Sequence, residues 1–156
     1  FGDFAAQGVC MAGNAFASVL LVKGQEDFEE AELSALKASL EHLGYAPEAW
    51  ATLLTTTKTG DPINPLLVRQ AISAFSPDTV LMVNDAAVTS VRKAYEDELN
   101  QLTTDAEKNF SPRVLVRVCG MRMVNLDNFA SALDDSHQKQ MRWAAIKQVS
   151  PLGEPY

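Results

Sequence analysis

The residues with the clearest potential for chemistry near the start of the chain are two neighbouring acids, Glu26 and Asp27. They follow an apolar run, 17–22, that has the composition of a buried parallel strand. The loop after such a strand opens into the ligand cleft of an open α/β sheet, where a carboxylate can act as a general acid or base. The same residues also suit the first turn of the following helix, because acidic side chains stabilise its positive end. They are therefore candidate catalytic residues with a structural alternative.

Further loops should lie at the same edge of the sheet, because the carboxyl ends of parallel strands meet there. Asn84 and Asp85 follow a third apolar run and also suit the cap of a helix. Cys119 follows a fourth run. A nucleophilic role would need a nearby base, which the sequence does not indicate, so a buried structural thiol is favoured. The residues that we predict to line the cleft are Lys23, Gly24, Gln25, Thr55, Asn84, Asp85, Cys119 and Arg122.

No pattern in the sequence is typical of a metal or cofactor site. His42 and His137 lack a second histidine or cysteine at zinc-ligand spacing. Gly24 is the only glycine in its loop, which therefore has neither a dinucleotide-binding nor a P-loop motif. Cys10 and Cys119 are too few for an iron–sulfur cluster, and we expect two reduced thiols, with one disulfide between them as the alternative. We therefore expect no metal, no iron–sulfur cluster and no cofactor.

Strands and helices should alternate along the chain and hold these loops in place. The predicted strands cover 17–22, 50–54, 79–83 and 114–118, with 121–124 either extending the last strand or forming a short fifth. The predicted helices cover 29–43, a segment that starts at Asn64 and Pro65, about 86–99, and about 136–149 with Ser136 as its N-cap. Segment 101–112 is predicted to be a long loop and 127–133 a brief helical turn.

The alternation of strand and helix requires parallel strands joined by right-handed crossover connections. We therefore predict an α/β fold, with a four- or five-stranded, mainly parallel sheet between two layers of helices. No linker or repeat divides the chain, so we predict a single domain over residues 1–156, with its core at about 13–149.

Charge and composition narrow the classes of partner. The chain has 156 residues, 47% of them hydrophobic, and a net charge of −7. This charge disfavours non-specific nucleic-acid binding, which depends on Lys and Arg contacts to phosphate. No apolar run is long enough to span a bilayer, and the first residues lack a secretory pattern, so we expect a cytoplasmic protein. Two basic sets could each form a patch or a solvated face: Arg113, Arg117 and Arg122, and Lys139, Arg142 and Lys147.

The order and spacing of several segments resemble the uracil-DNA glycosylase superfamily from about residue 13 to residue 149. Gly13 and Asn14 match the glycine–asparagine turn that precedes the first strand of that family. Segment 79–87 is similar to the V-I-V-A-L-G-x-x-A stretch of its third strand. Its last motif is matched by Leu133, Lys139 and Trp143. The likeness is closest to the iron–sulfur type of bacteria and archaea, and it implies a three-layer α/β/α sandwich with strand order 2-1-3-4.

The residues that carry out catalysis in that family are not matched. The family's catalytic loop is G-E-A-P-G, and here Lys23 and Gly24 stand at its first glycine and its glutamate. Aligning Lys58 with the lysine of the second-strand motif puts Thr55 at the base-reading asparagine. The histidine of the last motif falls on Asn128, and the four cluster cysteines are absent. Base excision needs an attacking water, a base-reading pocket and a stabilised leaving group, so the resemblance implies a degenerate site.

This mismatch leaves three hypotheses about function. In the first, the chain is a catalytically degenerate glycosylase-like domain that acts without enzymatic activity by binding a partner, most simply a protein. In the second, it is an active DNA glycosylase or another enzyme on a nucleobase or nucleotide. That enzyme would use Glu26 or Asp27 on one side of the cleft and Asn84, Asp85 or Asn128 on the other. In the third, it is an α/β domain unrelated to glycosylases, which a strand order other than 2-1-3-4 would favour.

Overall fold

A computed structural model describes residues 9–14, 17–46, 49–57 and 61–149 of the chain. Its sheet consists of β1 (Cys10–Gly13), β2 (Val19–Lys23), β3 (Trp50–Leu54), β4 (Thr79–Met82), β5 (Leu115–Val118) and β6 (Met121–Asn125). Its helices are α1 (Glu30–Leu43), α2 (Pro65–Phe75), α3 (Asp85–Ala94), α4 (Glu96–Leu99), α5 (Asp105–Lys108) and α6 (Ser136–Ile146). Short 3-10 turns cover Phe129–Ala132 and Lys147–Val149.

The six strands form one mixed sheet with the order β1–β3–β2–β4–β6–β5. The four central strands run parallel, whereas β1 and β5 are antiparallel to their neighbours at the two edges. The predicted α/β class is therefore confirmed. The predicted four- or five-stranded sheet is wrong in its number of strands, and the strand beside β4 is β6 rather than the segment 114–118.

A two-residue turn explains the position of β5. Cys119 and Gly120 join β5 to β6 with φ angles of 51° and 81°, the left-handed backbone of a tight hairpin. A parallel neighbour would need a crossover connection of about a dozen residues or more. The strand β5 therefore has to run antiparallel to β6, and it becomes an edge of the sheet.

The other edge strand, β1, is absent from the sequence-based prediction, because Cys-Met-Ala-Gly carries no alternating pattern. It pairs with β3 from Cys10 opposite Leu54 to Gly13 opposite Ala51. Gly13 has a φ of 98°, and a Cβ atom there would lie 2.8 Å from the Cα of Ala51. Glycine is therefore needed for the backbones of β1 and β3 to approach this closely.

Helices cover both faces of the sheet, and each face has its own hydrophobic core. On one face α2 and α3 pack against Leu20, Val22 and Met82. On the other face α1 and α6 pack against Val19 and Leu21, which alternate with the first set along β2. A strand that is buried on both faces has a continuous apolar sequence, so β2 could be predicted without the structure.

The ends of two helices follow the local rules used to predict them. Asn64 caps α2 by accepting the backbone N–H of Leu66, and Pro65 occupies the first helical position. Gly44 ends α1 with a left-handed φ of 107°. These predictions are confirmed because capping depends on residues that are neighbours in the sequence.

Three local details differ from the prediction. Tyr95 separates α3 from α4, where a single helix was predicted over 86–99. The short helix α5 lies within the segment 101–112 that was predicted to be a loop. Asp135, rather than Ser136, caps α6, because its Oδ1 accepts the backbone N–H groups of the two residues after Ser136.

Candidate functional site

The carboxyl ends of the parallel strands bring together loops that are far apart in the sequence. The strand β2 ends at Lys23, β3 is followed by Thr55, and β4 is followed by Asn84 and Asp85. The loop after β6 carries Asn128 to the same edge, where its side chain meets Asp85. The structure therefore places these five predicted site residues at one edge of the sheet.

A buried ion pair lies at the centre of this edge. Lys23 is 1% exposed, Glu32 is 0% exposed, and the Nζ of Lys23 lies 2.6 Å from Oε1 of Glu32. The backbone N–H of Glu29 also donates to Oε1, at 3.3 Å. The other carboxylate oxygen, Oε2, is buried without a hydrogen-bond partner among the described residues. Two opposite charges taken out of water depend on each other, because removal of either leaves an uncompensated charge.

Glu32 is the residue of this site that sequence reasoning missed. Its position in the first turn of α1 indicates only a favourable contact with the helix dipole. The signal that could have found it is Lys23, which ends an otherwise apolar, fully buried strand. A buried lysine needs a counter-charge, and the helix that follows the strand is the nearest source of one.

Asn84 ties the loop after β2 to the start of α3. Its Oδ1 accepts the backbone N–H groups of Gly24 and Ala87, both at 3.1 Å, and its Nδ2 donates to the carbonyl of Gly24 at 2.8 Å. Gly24 is packed so closely that a Cβ atom there would lie 2.6 Å from Oγ1 of Thr55. Asn84 is therefore the cap of α3, as predicted, and its amide has little capacity left for a ligand.

Asp85 and Asn128 form a second pair at this edge. The Nδ2 of Asn128 donates to Oδ2 of Asp85 at 3.0 Å, and its Oδ1 accepts the backbone N–H of Asp85 at 3.1 Å. Asn128 has a φ of 54°, a left-handed conformation that asparagine adopts more readily than most residues. Both ends of its amide are therefore held by the first residue of α3.

The loop after Lys23 is the exposed part of this edge. Gln25, with a φ of 70°, and the two candidate acids that follow it are exposed. The Oε1 of Glu26 lies 3.9 Å from Nζ of Lys23, and its side chain is 69% exposed. The Oδ1 of Asp27 accepts the backbone N–H of Phe28 at 2.7 Å. Glu26 therefore lies beside the buried ion pair, whereas Asp27 stabilises a local turn.

Two hollows flank this loop. One has a volume of about 290 Å³, and its lining includes Lys23, Glu32, Asn84, Asp85 and Asn128. The other has a volume of about 450 Å³ and lies over β1 and β3, with Cys10, Ala12, Thr52 and Leu54 in its lining. The first hollow is polar, but most of the polar groups in its wall are hydrogen bonded to one another. The second combines an apolar floor with the acids of the exposed loop.

Cys119 and Arg122 do not lie at this edge, and their prediction as cleft residues is wrong. Both lie where β5 turns into β6, at the amino ends of the parallel strands. The error follows from the strand assignment, because a hairpin turn after an antiparallel strand faces the opposite edge from a loop after a parallel one. Cys119 is exposed, so its prediction as a buried thiol is also wrong, and Cys10 and Cys119 are both free thiols.

Arg122 is buried at the amino ends of the parallel strands and links the elements there by hydrogen bonds. It is 5% exposed, and its guanidinium donates to Oγ1 of Thr79 at 2.9 and 3.2 Å and to the hydroxyl of Tyr45 at 3.2 Å. The hydroxyl of Tyr45 donates in turn to the carbonyl of Val149 at 2.5 Å. Burial raises the pKa of Tyr45, and the positive charge of Arg122 opposes that rise.

One arginine in each of the two basic sets is buried in the protein interior. Arg122 is buried in the first set, and Arg142, 6% exposed, is buried in the second and donates to the carbonyl of Asp127 at 2.6 Å. Arg113 is paired with the carboxylate of Asp127 at 3.1 Å. These arginines are therefore engaged within the protein rather than presented together to solvent.

Two further classes of site are absent from the ranges that the structure describes. No group of three or more His, Cys, Asp or Glu side chains in those ranges is arranged to hold a metal ion. No helix there is both long enough and apolar enough to cross a bilayer. Lys58, which the glycosylase alignment pairs with a lysine, lies outside the described residues.

Comparison of the chain with models of known protein families gives no match, and comparison with curated protein sequences gives none. The function therefore has to be inferred from the residues and the geometry of the site.

Proposed function

We propose that the chain is a uracil-DNA glycosylase-like domain that has lost the catalytic groups of that fold and acts by binding a protein partner. The order of the sequence segments that resemble the family supports this assignment of the fold. The strand order supports it too. Without the two antiparallel edge strands, the parallel strands run 2-1-3-4 in chain order, as the resemblance implies.

The observation that carries the non-enzymatic assignment is that the lysine and the two candidate amides at the carboxyl edge are already hydrogen bonded within the protein. Lys23 is paired with Glu32, the amide of Asn84 is used by the backbone around it, and Asn128 is held by Asp85. A general acid, base or base-reading amide needs an open hydrogen-bonding position that faces the substrate. These groups instead hold the loops of the edge in place.

The positions that match the family's functional residues support the same inference. Gly24 stands at the glutamate and has no side chain to orient a water. Thr55 stands at the base-reading asparagine, is 0% exposed and packs against Gly24. Asn128 stands at the histidine and cannot carry a positive charge to stabilise a departing base. Independent loss of all three groups is expected when selection no longer maintains the reaction.

A protein is favoured over a nucleic acid as the partner because of charge. The net charge of −7 and the internal pairing of arginines from both basic sets leave little cationic surface for phosphate. We also propose a cytoplasmic location, since the two cysteines are free thiols. The proposed function uses no metal, iron–sulfur cluster or other cofactor.

One observation favours the second candidate function, an enzyme on a nucleobase or nucleotide. The carboxylate of Glu26 is exposed, lies 3.9 Å from the ammonium group of Lys23, and borders both hollows. A shift in register of the catalytic loop could let this carboxylate orient a water. This activity would need Glu26 as its acid or base, with Asp85 or Asn128 released from their mutual hydrogen bonds.

Uracil release separates the two candidates. The full chain, in excess over uracil-containing single-stranded and duplex DNA, should release no uracil above a buffer blank, while an active glycosylase does so in parallel. Release that disappears in Glu26→Ala but persists in Glu30→Ala, an exposed acid on α1, would establish the enzyme. Release that persists in both variants would equally contradict the loss of catalysis and would implicate another residue.

The binding function itself requires a partner of defined stoichiometry. The tagged chain, purified from cells that naturally produce it, should retain a protein that re-forms a complex of fixed composition when both components are pure. Recovery of only nuclease-sensitive complexes would contradict a protein partner.

A further inference from the structure

We propose that the partner contributes an extended segment that adds a strand to the outer edge of β1 and places a basic side chain beside Glu26 and Asp27. This inference rests on the proposed protein-binding function and names the surface and the chemistry of the segment. It depends on three observations on the described residues: an edge strand without a second neighbour, a partly covered face of the sheet, and an acidic rim.

The first observation is the open edge of β1. Within the described ranges, β1 pairs with β3 on one side and with no strand on the other. Ala12 and Gly13 are exposed, and the strand contains no charged residue or proline. Proteins normally protect the edges of their sheets with such residues, because unpaired backbone groups bind other extended chains. The opposite edge strand, β5, carries the exposed Arg117.

The second observation is that one face of the sheet near β1 is only partly covered by the residues that the structure describes. Alternate residues of β3 differ sharply in their exposure. Ala51 and Leu53 are 0% and 1% exposed, whereas Thr52 and Leu54 are only half-buried. Thr52 lies opposite Ala12 on the same face, and Leu54 lies opposite Cys10. These four side chains form the floor of the 450 Å³ hollow, to which we refer as the β1 groove.

The third observation is the charge at the rim of the β1 groove. Gln25, Glu26 and Asp27 form its wall, and the side chain of Glu26 is 69% exposed. An added strand that runs along β1 would direct alternate side chains towards this face. An apolar side chain over Leu54 and a Lys or Arg beside Glu26 would match the floor and the rim. The segment therefore has an apolar residue and a basic residue that are two positions apart.

Charge also distinguishes this occupant from a second copy of the chain. Two copies that paired through β1 would bring the acidic rims of both into one assembly, and each copy carries a net charge of −7. Like charges at an interface oppose association, whereas a basic segment is attracted to the same surface. We therefore assign the edge to a basic partner segment.

A defined peptide tests this assignment. The probe is the blocked hexapeptide acetyl-Thr-Val-Thr-Lys-Thr-Lys-amide, titrated into the full ¹⁵N-labelled chain while backbone amide shifts are recorded. We expect saturable shifts at 10–13 and 25–27. The same peptide with glutamine in place of both lysines should bind more weakly, and a version with alternate backbone nitrogens methylated should lose binding, because it cannot complete the ladder.

Paired charge variants sharpen the test. The double variant Glu26→Gln, Asp27→Asn should weaken binding of the lysine peptide about threefold to tenfold, as expected for two exposed charges. The matched double variant Glu96→Gln, Asp97→Asn removes the same charge from the exposed surface of α4 and should leave binding unchanged. Equal losses in the two double variants would contradict the assignment, because they would indicate a response to net charge alone.

The other outcomes also decide the question. Shifts at β5 instead of β1, or self-association of the chain through β1 without peptide binding, would overturn the basic-segment proposal. If a natural partner is found and binds the Glu26→Gln, Asp27→Asn variant as tightly as the unaltered chain, the surface is wrong while the binding function stands. Release of uracil would instead contradict the binding function, whichever surface the peptide uses.

Discussion

The two ends of the parallel strands each carry a buried cation, and the two cations have different partners, a carboxylate at one end and hydroxyl groups at the other. Lys23, at the carboxyl end of β2, is paired with the carboxylate of Glu32 at 2.6 Å. Arg122, at the amino end of β6, donates to the hydroxyls of Thr79 and Tyr45. Hollows occur at both ends, two at the carboxyl end and one of about 350 Å³ beside Cys119 at the amino end, where the hydroxyl of Tyr45 also binds the C-terminal 3-10 turn.

This difference separates a surface that can evolve new contacts from one that holds the fold together. At the carboxyl end, the paired charges anchor a loop whose next three residues, 25–27, are exposed and acidic or amide-bearing. At the amino end, the hydroxyl network joins strands and the C-terminal turn, and the exposed Asp78 meets it through its backbone carbonyl, which accepts the N–H of Arg122 at 2.8 Å. A buried cation therefore does not by itself indicate a functional site, and its surroundings decide its role.

The largest effect should follow from separating the charges at the carboxyl end. We expect Lys23→Met to lower the free energy of unfolding by about 3–5 kcal/mol, because the carboxylate of Glu32 is left buried and unpaired. The double variant Lys23→Met, Glu32→Leu should recover most of this loss. Urea denaturation measures both. As a control, Arg69→Met breaks a half-exposed pair with Glu98 and should cost no more than about 1 kcal/mol.

Removal of the cation at the amino end should cost less, because no carboxylate is left without its partner. We expect Arg122→Met to lower the free energy of unfolding by about 1–3 kcal/mol, the cost of leaving buried hydroxyls with fewer hydrogen bonds. Arg117 is the exposed residue of β5 that lies opposite Arg122. As a control, Arg117→Met should change the free energy of unfolding by about 0.5 kcal/mol or less. An Arg122 effect as large as that of Lys23 would remove the distinction between the two ends.

Two glycines allow the packing of the two ends to be compared. A Cβ atom at Gly24 would lie 2.6 Å from Oγ1 of Thr55 and 2.8 Å from Cβ of Ala86, so Gly24→Ala should cost about 1–3 kcal/mol through overpacking. At Gly120 no described atom lies within 4 Å of an added Cβ, and the φ of 81° is the source of the cost. Gly120→Ala should therefore cost about 1 kcal/mol. Thermal unfolding of both variants measures which one loses more stability. A larger loss in Gly120→Ala than in Gly24→Ala would show that the carboxyl end is loosely packed.

The smallest effect should be the pH dependence of the ion pair near the amino end. The hydrogen bond from Arg69 lowers the pKa of Glu98 from its usual value of 4.5. Because the folded-state pKa is the lower one, this stabilisation is present above the unfolded-state pKa and is lost as the pH falls through the folded-state pKa. Stability measured from pH 6 to pH 3 should therefore fall less steeply in Glu98→Gln than in the unaltered chain. Parallel curves for the two proteins would contradict the assigned shift.

Local sequence rules predicted a large part of the fold. The stripe of leucines and the terminal glycine of α1, and the asparagine and proline at the start of α2, act over a few residues and need no knowledge of the rest of the chain. The buried strand β2 was equally accessible, since both of its faces are covered and its sequence is therefore continuously apolar. The short edge strand β1 had no such pattern.

The sheet edges could not be predicted from such local rules. The segment 114–118 has the composition of a parallel strand, and only the two-residue turn at Cys119 and Gly120 makes it an antiparallel edge. Because of this hairpin, Cys119 and Arg122 lie at the amino ends of the parallel strands rather than at the carboxyl ends, where they were predicted to lie. Turn geometry and strand direction are linked, so a missed hairpin misplaces every side chain near it.

The sequence by itself determined the α/β class, the buried strand β2 and the helix boundaries set by caps, because these depend on neighbouring residues and on apolar periodicity. Only the tertiary structure decided that Lys23 and Glu32 share one buried site and that Asn128 meets Asp85. It alone revealed that the face of the sheet beside β1 is only half-buried by the described part of the chain. The physical reason is that charge pairing, burial and edge exposure depend on distances in space, which residues far apart in the chain acquire only when the sheet forms.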